Sequence, residues 1–317
     1  MDYIEQSDNA TRQAIDSATV FGEYCRVRIA AQAYQGGMYW KQQDGYSYLV
    51  KTAPDNRQQR MGPRSAETEA IYTAFVARKT EVEGRLKSLR DALKEAERLN
   101  KALKVGRVPA IVVDLLQALD DAGLAAHFTV VGTHALYAYE AAAGVRIAPG
   151  AMATQDVDLL WDARRRVRFV AEMDRLNISM LAVLQKADPS FVRKEGQNET
   201  AINGKGFEVD FLRRQPKDGD PHPMCFSHFE EDLWPVQARR AHVLTDAPRF
   251  EHMVVATTGR MAWMRTVDPR VFVDFKTWMA QAAPGRPDAK RRRDARQAGI
   301  VQTLLDEGLL IPGADAE

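Results

Sequence analysis

The sequence predicts an α+β protein. A mixed sheet with helices on one side should occupy the middle of the chain. A helix–hairpin–helix arm precedes it and a helical domain follows it. Two observations carry this reading. Short apolar runs suited to strands recur at Phe128–Val131, Asp156–Leu160 and Phe207–Leu212. They alternate with longer segments whose apolar residues return every three or four positions. The boundaries follow as residues 1–107 for the arm, 108–235 for the core and 236–317 for the helical end, with Gly106-Arg-Val-Pro109 as the clearest break.

From about Asn9 to Tyr34, Ile15, Val20, Phe21 and Ile29 lie at loosely helical spacing, and Gly36-Gly37 ends that helix. Met38–Val50 reads as a hairpin turning at Asp44-Gly45. Pro54–Arg57 is a loop. Ser65 can cap a long helix running to about Lys104, continuous or jointed near Gly84, with Glu67 and Glu69 favouring its start. Its Leu86, Leu89, Leu93 and Leu103 fall on or near one stripe, which suits packing on the next domain or a short coiled-coil arm. Pro109–Ala122 is an apolar-periodic helix ended by Gly123. After the strand Phe128–Val131 comes a helix, Thr133–Ala142, and a Gly/Pro-bearing segment from Gly144 to Gly150. An amphipathic helix is expected over Arg164–Leu176, and short strands over Ser190–Lys194 and Glu199–Asn203. The remainder reads as helices over Met253–Arg265, Arg270–Ala282 and Ala289–Glu307.

Bulk properties exclude several classes. With 45% hydrophobic and 27% charged residues, the 317-residue chain is ordinary for a globular protein. A net charge of +1 argues against a nucleic-acid binder steered by its whole surface and leaves room for local basic patches. Two cysteines, Cys25 and Cys225, fit a reducing cytoplasm. The first residues lack the basic start and apolar core of a secretory signal, and no apolar run is long enough to span a bilayer.

The acidic residues point to chemistry. On a strand, Asp156 and Asp158 face one way while Val157 faces the other. Asp210 comes from another apolar strand, with Glu208 on its own side. Asp is disfavoured within strands, and buried carboxylates are costly without compensation. Three of them on one sheet face repel unless a cation neutralises them. Oxygen-only ligands suit a hard divalent ion such as Mg²⁺, which recruits substrate phosphates to complete its shell.

In that frame the chain resembles the DNA polymerase beta-type nucleotidyltransferase superfamily. It is closer to a bacterial nucleotidyltransferase branch, and is similar to abortive-infection and toxin–antitoxin nucleotidyltransferases. The resemblance rests on Tyr46-Ser-Tyr48, Gly62-Pro-Arg-Ser65, Val131-Gly-Thr-His-Ala135, Thr154-Gln-Asp-Val-Asp158, Asp268-Pro-Arg270 and Lys290-Arg-Arg-Arg-Asp-Ala-Arg-Gln297. It implies a polymerase beta-like fold and an enzyme that moves a nucleoside monophosphate from an NTP to a hydroxyl, releasing pyrophosphate. Asp156, Asp158 and Asp210 would be the catalytic metal ligands for Mg²⁺, with Mn²⁺ as an alternative. Gly132 and Thr133 would hold the triphosphate; Lys276 and one of Lys290 or Arg293 would bind phosphate. Asp294 would support them or activate a base. The turn departs from the superfamily's usual Gly-Gly or Gly-Ser by carrying Thr133, which keeps the hydroxyl but is β-branched. The implied acceptor is an RNA end such as that of a tRNA, or a protein hydroxyl; a cognate antitoxin is an implied partner. The competing expectation is a catalytically silent nucleotide-binding or interaction module.

Three features carry bland expectations. His134 should face the surface of its helix. Asn203-Gly-Lys-Gly206 lacks the ending of a phosphate loop and should be a hairpin turn. Tyr39, Trp40, Tyr46 and Tyr48, among Lys41, Lys51, Arg57 and Arg60, suit either the core of a small hairpin or a stacking surface for single-stranded bases.

Overall fold

The computed structural model describes residues 2–152, 154–217 and 219–313. In chain order its elements are β1 (Tyr3–Glu5), α1 (Asp8–Ala31), β2 (Gly37–Gln43), β3 (Tyr46–Thr52), β4 (Gln58–Pro63), α2 (Ala66–Ala102), α3 (Ala110–Asp121), β5 (Phe128–Val131), α4 (Leu136–Ala143), β6 (Val145–Ile147), α5 (Pro149–Met152) and β7 (Asp156–Trp161). There follow α6 (Arg166–Leu176), α7 (Met180–Gln185), β8 (Val192–Arg193), β9 (Thr200–Ile202), β10 (Glu208–Arg213), β11 (Val236–Gln237), α8 (Ala241–Asp246), β12 (Arg249–Val255), β13 (Met261–Val267), α9 (Pro269–Gln281) and α10 (Asp288–Asp306). The chain divides into two compact units. One is Arg12–Ala102; the other joins the residues up to Thr11 to those from Leu103 onward. Among the described residues, no helix is long and apolar enough to cross a membrane.

The smaller unit holds a three-stranded antiparallel sheet, ordered β2-β3-β4, and the long helix α2. Helix α2 runs unbroken through Gly84. Part of its inner stripe is polar. The Ser17 hydroxyl donates to Asn100 Oδ1 at 2.7 Å, and Arg85 pairs with Glu23 at 2.6 Å, so α1 is fixed against α2 by directional bonds. Strand β4, which pairs with β3 after a bulge between Leu49 and Val50, was not expected from the sequence.

The larger unit is built on a six-stranded sheet ordered β5-β7-β10-β9-β8, with β11 pairing the end of β10 at Leu212 and Arg213. Strand β7 lies antiparallel to β5 and parallel to β10; β9 is antiparallel to β10. The inward residues Val157, Leu159, Val209 and Phe211 are buried, and rings of Phe128, Trp161, Phe169, Phe211 and Phe226 meet edge to face around them. That geometry is the favoured one for aromatic quadrupoles. Residues 203–206 do form the β9–β10 turn.

Two expectations are corrected. The helix over Met253–Arg265 is absent, and so the C-terminal part is not wholly helical. β12 and β13 form a hairpin there. Gly259 takes a left-handed φ of 90° in the turn, Glu251 and Arg265 pair across the strands at 2.9 Å, and the Thr266 hydroxyl donates to Val130 O at 2.7 Å. Met, Ala and Trp imitate a helical stripe, but the two segments pair with each other as a hairpin packed beside β5, and tertiary packing overrides local propensity. His134 is the second case. It is 1% exposed, with its ring beside Tyr137 and Phe207, because residues 132–135 form a tight 3-10 turn before α4 and direct it inward.

Candidate active site

The register of three strands assembles the site. Asp158 lies opposite Asp210 across the β7–β10 pair, and Asp156 opposite Glu208. Residues paired this way share a face, and Asp156 shares it with Asp158 by strand alternation. One carboxylate oxygen from each of Asp156, Asp158 and Asp210 lies within 4.8 Å of the others; they form the only such three-ligand group among the described residues. On the other side, Val131 of β5 pairs with Asp158, so the chain turns at Gly132 directly beside that carboxylate. Gly132 has φ 69°, and a Cβ there would stand 2.3 Å from Asp158 Oδ2. Both conformation and space exclude a side chain.

Hydroxyls hold two of the acids. Thr154 donates to Asp156, and Thr200 donates to Asp210 Oδ1 at 2.6 Å. Among the described residues no basic side chain forms an ion pair with any of the three. Burial, then the charges of Asp156 and Asp210, push the Asp158 carboxyl up to about 7. Burial also raises Asp210, against the Thr200 hydrogen bond and with the help of the neighbouring acids. Lys276 and Arg286 offset the rise at Asp158 only in part, so the floor remains rich in negative charge, and its donor set of oxygens matches a hard cation.

A cleft of about 510 Å³ opens over this floor, within the range of small-molecule sites. Asp156, Asp158, Asp210, Gly132 and Thr133 line one side; Lys276, Arg286, Lys290 and Arg293, from α9, α10 and the loop between them, line another. Phe275, Trp278 and Met279 make an apolar end. The eight residues implied as metal ligands or phosphate contacts all line this one cavity; Asp294 does not. Thr133 arrives with its hydroxyl engaged, accepting from Gln297 Nε2 at 3.1 Å, while the same amide donates to Ala151 O at 2.7 Å. This ties the glycine turn to α10.

The resemblance implied Asp294 as a support or a base-activating acid, but neither its partners nor Arg286 was singled out from the sequence as holding the cationic wall. Asp294 is fully buried and does not line the cleft. One of its oxygens takes the Lys276 ammonium at 2.9 Å and the other the Arg286 Nε at 2.6 Å. Burial alone would raise the Asp294 carboxyl, but the Arg286 and Lys276 partners outweigh it and hold it below its usual range. Lys276 is itself only 5% exposed, so its ammonium is fixed in place. Arg286 sits in the connector Pro284-Gly-Arg-Pro287, where flanking prolines restrict the backbone; that was the available signal. Gln297 and Thr200 carried none.

The sheet thus gathers three carboxylates beside a glycine turn, in one cleft with lysine and arginine side chains from α9, α10 and the loop between them. Residues 110–316 match the profile of the family described as Nucleotidyltransferase, and the chain belongs to that family. The matched span contains every residue of the cleft described above. No curated protein and no solved structure matches the chain.

Proposed function

We propose that the cleft catalyses metal-dependent transfer of a nucleoside monophosphate from an NTP to a hydroxyl, by the polymerase beta-like arrangement that the sequence resembles. The observation that carries this reading is the excess of carboxylates on the floor facing an excess of cations on the wall. The acceptor hydroxyl gives up its proton to water, its oxygen bonds the α-phosphorus, the bond from that phosphorus to the α,β-bridging oxygen breaks, and pyrophosphate leaves. Asp156, Asp158 and Asp210 hold the divalent ions, for which Mg²⁺ is the hard cation of choice. Bound there, such ions neutralise the carboxylates, lower the pKa of the acceptor hydroxyl and stabilise the leaving group. Asp210, on the central strand β10, stands on the acceptor side and orients the hydroxyl. The Gly132–Thr133 turn offers backbone amides to the triphosphate, and Gln297 keeps that turn still. Lys276, Lys290 and Arg293 meet phosphate oxygens, with Asp294 positioning Lys276 and Arg286. The apolar end at Phe275 and Trp278 suits a base ring.

The acceptor we favour is an RNA end. A role in a toxin–antitoxin pair, with a cognate antitoxin as partner, rests on the sequence resemblance alone. The test is to incubate the full chain with Mg²⁺, each α-labelled NTP in turn, and total RNA or total protein. Label should enter one polymer with matching pyrophosphate release, and both should vanish with EDTA. Nucleotide binding without any pyrophosphate release would instead identify a silent nucleotide-binding module.

A further inference from the structure

We infer that the outward face of the β2-β3-β4 sheet is a binding platform for single-stranded RNA. Strand pairing sorts the aromatic and basic residues of this hairpin onto two faces. Trp40 pairs with Leu49 and Met38 with Lys51; the Trp40 ring lies 5.9 Å from Tyr72, and the Lys51 ammonium 5.9 Å from the Phe75 ring, both on α2. That face is the inner one. On the opposite face Tyr39 pairs with Val50, Lys41 with Tyr48, Gln43 with Tyr46, and Val50 with Arg60. Directly paired residues stand side by side on one surface. So Tyr39, Tyr46, Tyr48, Lys41 and Arg60 form one array, floored by the buried Val50.

The array is organised. Arg60 lies over the Tyr48 ring, its guanidinium carbon 3.2 Å from the centroid, and the Tyr46 ring centroid is 6.5 Å from that of Tyr48. Tyr46 is 66% exposed and Tyr39 39%. Exposed rings with a guanidinium among them offer flat faces and positive charge, which suits an occupant with flat faces and negative charge. The paired positions carry no carboxylate at all: they read Tyr, Lys and Gln on β2, Tyr, Tyr, Val and Thr on β3, and Gln and Arg on β4. Over residues 37–64 only Asp44 and Asp55 oppose Lys41, Lys51, Arg57, Arg60 and Arg64, in a chain whose net charge is +1. Aromatic stacking beside a cationic track is the recognition chemistry of single strands, whose bases expose both faces; a duplex hides them. This deepens the proposed transfer by naming the class of its acceptor, and rests on that reading for the acceptor role alone.

The test uses the full chain in EDTA without NTP, so that it is independent of catalysis. A fluorescein-labelled 12-nucleotide oligouridylate should bind more tightly than a duplex RNA of the same length, with affinity falling as salt rises. Tyr46→Ala and Tyr39→Ala should each weaken binding about tenfold, in keeping with the loss of one stacked base. Lys41→Glu with Arg60→Glu should weaken it further and flatten the salt dependence. Circular dichroism should not change, since the rings are exposed, and NTP binding by the doubly Tyr-substituted chain should match that of the parent. Unchanged oligouridylate affinity in the Tyr variants, or equal affinity for the duplex, overturns the proposal. If these variants lose RNA binding but no variant or parent transfers label, the platform stands and the transfer reading falls.

Discussion

The two walls of the cleft treat charge in opposite ways. On the floor, Asp156, Asp158 and Asp210 bring three carboxylates within 4.8 Å, with hydroxyls on two of them and, among the described residues, no ion-pair partner. On the α9–α10 wall, a single carboxylate, Asp294, is shared by two cations, Lys276 and Arg286, and removed from solvent completely. The second arrangement is self-contained and rigid. The first leaves its carboxylates repelling one another, and a divalent ion would relieve that repulsion. On the proposed reading, stability is invested in the wall and withheld from the floor, so that ligand binding would complete the site.

Substitutions can break this comparison at either wall. Asp158→Ala should reduce transfer roughly a thousandfold, as loss of one centre of electrostatic stabilisation does, while leaving the metal-free fold at least as stable as the parent. Steady-state rates and thermal melts in EDTA check the two halves; a large drop in Tm would mean that Asp158 is structural. Asp294→Ala should behave in reverse. It strands Lys276 and Arg286 without their partner and should cost about 3–5 kcal/mol of stability in urea titrations. Gly132→Ala comes next. The left-handed backbone and the close Asp158 oxygen should cost about 1–2 kcal/mol and weaken divalent-ion affinity measured by calorimetry.

Titration sharpens the contrast. Asp158 titrates near 7 in the folded chain and near 4 when unfolded, so the folded state binds more protons between those values. Metal-free stability should fall as pH rises from about 4 to 7, and saturating Mg²⁺ should remove that slope because it binds the ionised form. Melting curves across that window, with and without the ion, are the measurement; a slope of the opposite sign would reject the floor's electrostatics. The smallest effect should come from Thr200→Val, which removes one hydrogen bond to Asp210. About 1 kcal/mol of stability and a modest upward move of the acidic limb of the rate profile are expected.

Much of the floor was readable in the residues. Phe128–Val131 is a strand with the expected bounds, because four apolar residues before a glycine leave little alternative. The Asp156 and Asp158 pair was legible from strand periodicity. The cationic wall was legible only as a basic run. Asp294 reaches Lys276 eighteen positions away, and that contact exists only because α9 and α10 cross. The aromatic hairpin shows the same limit. Its residue types suggested both core and surface, and only the β2–β3 register assigned Trp40 inward and Tyr39, Tyr46 and Tyr48 outward. The β12–β13 hairpin was misread because its partner surface, β5, lies over a hundred residues earlier in the chain.

The covalent chain by itself determined which side chains can act together locally. Alternation along an extended backbone puts Asp156 and Asp158 on one side whatever surrounds them, and a glycine alone fits the bend at 132. Tertiary structure decided the rest. Lateral pairing sets Asp210 opposite Asp158, and a slip of one residue in β10 would turn it to the far face. That register is fixed by the burial of Val209 and Phe211 against residues distant in sequence, an energy that no local segment contains.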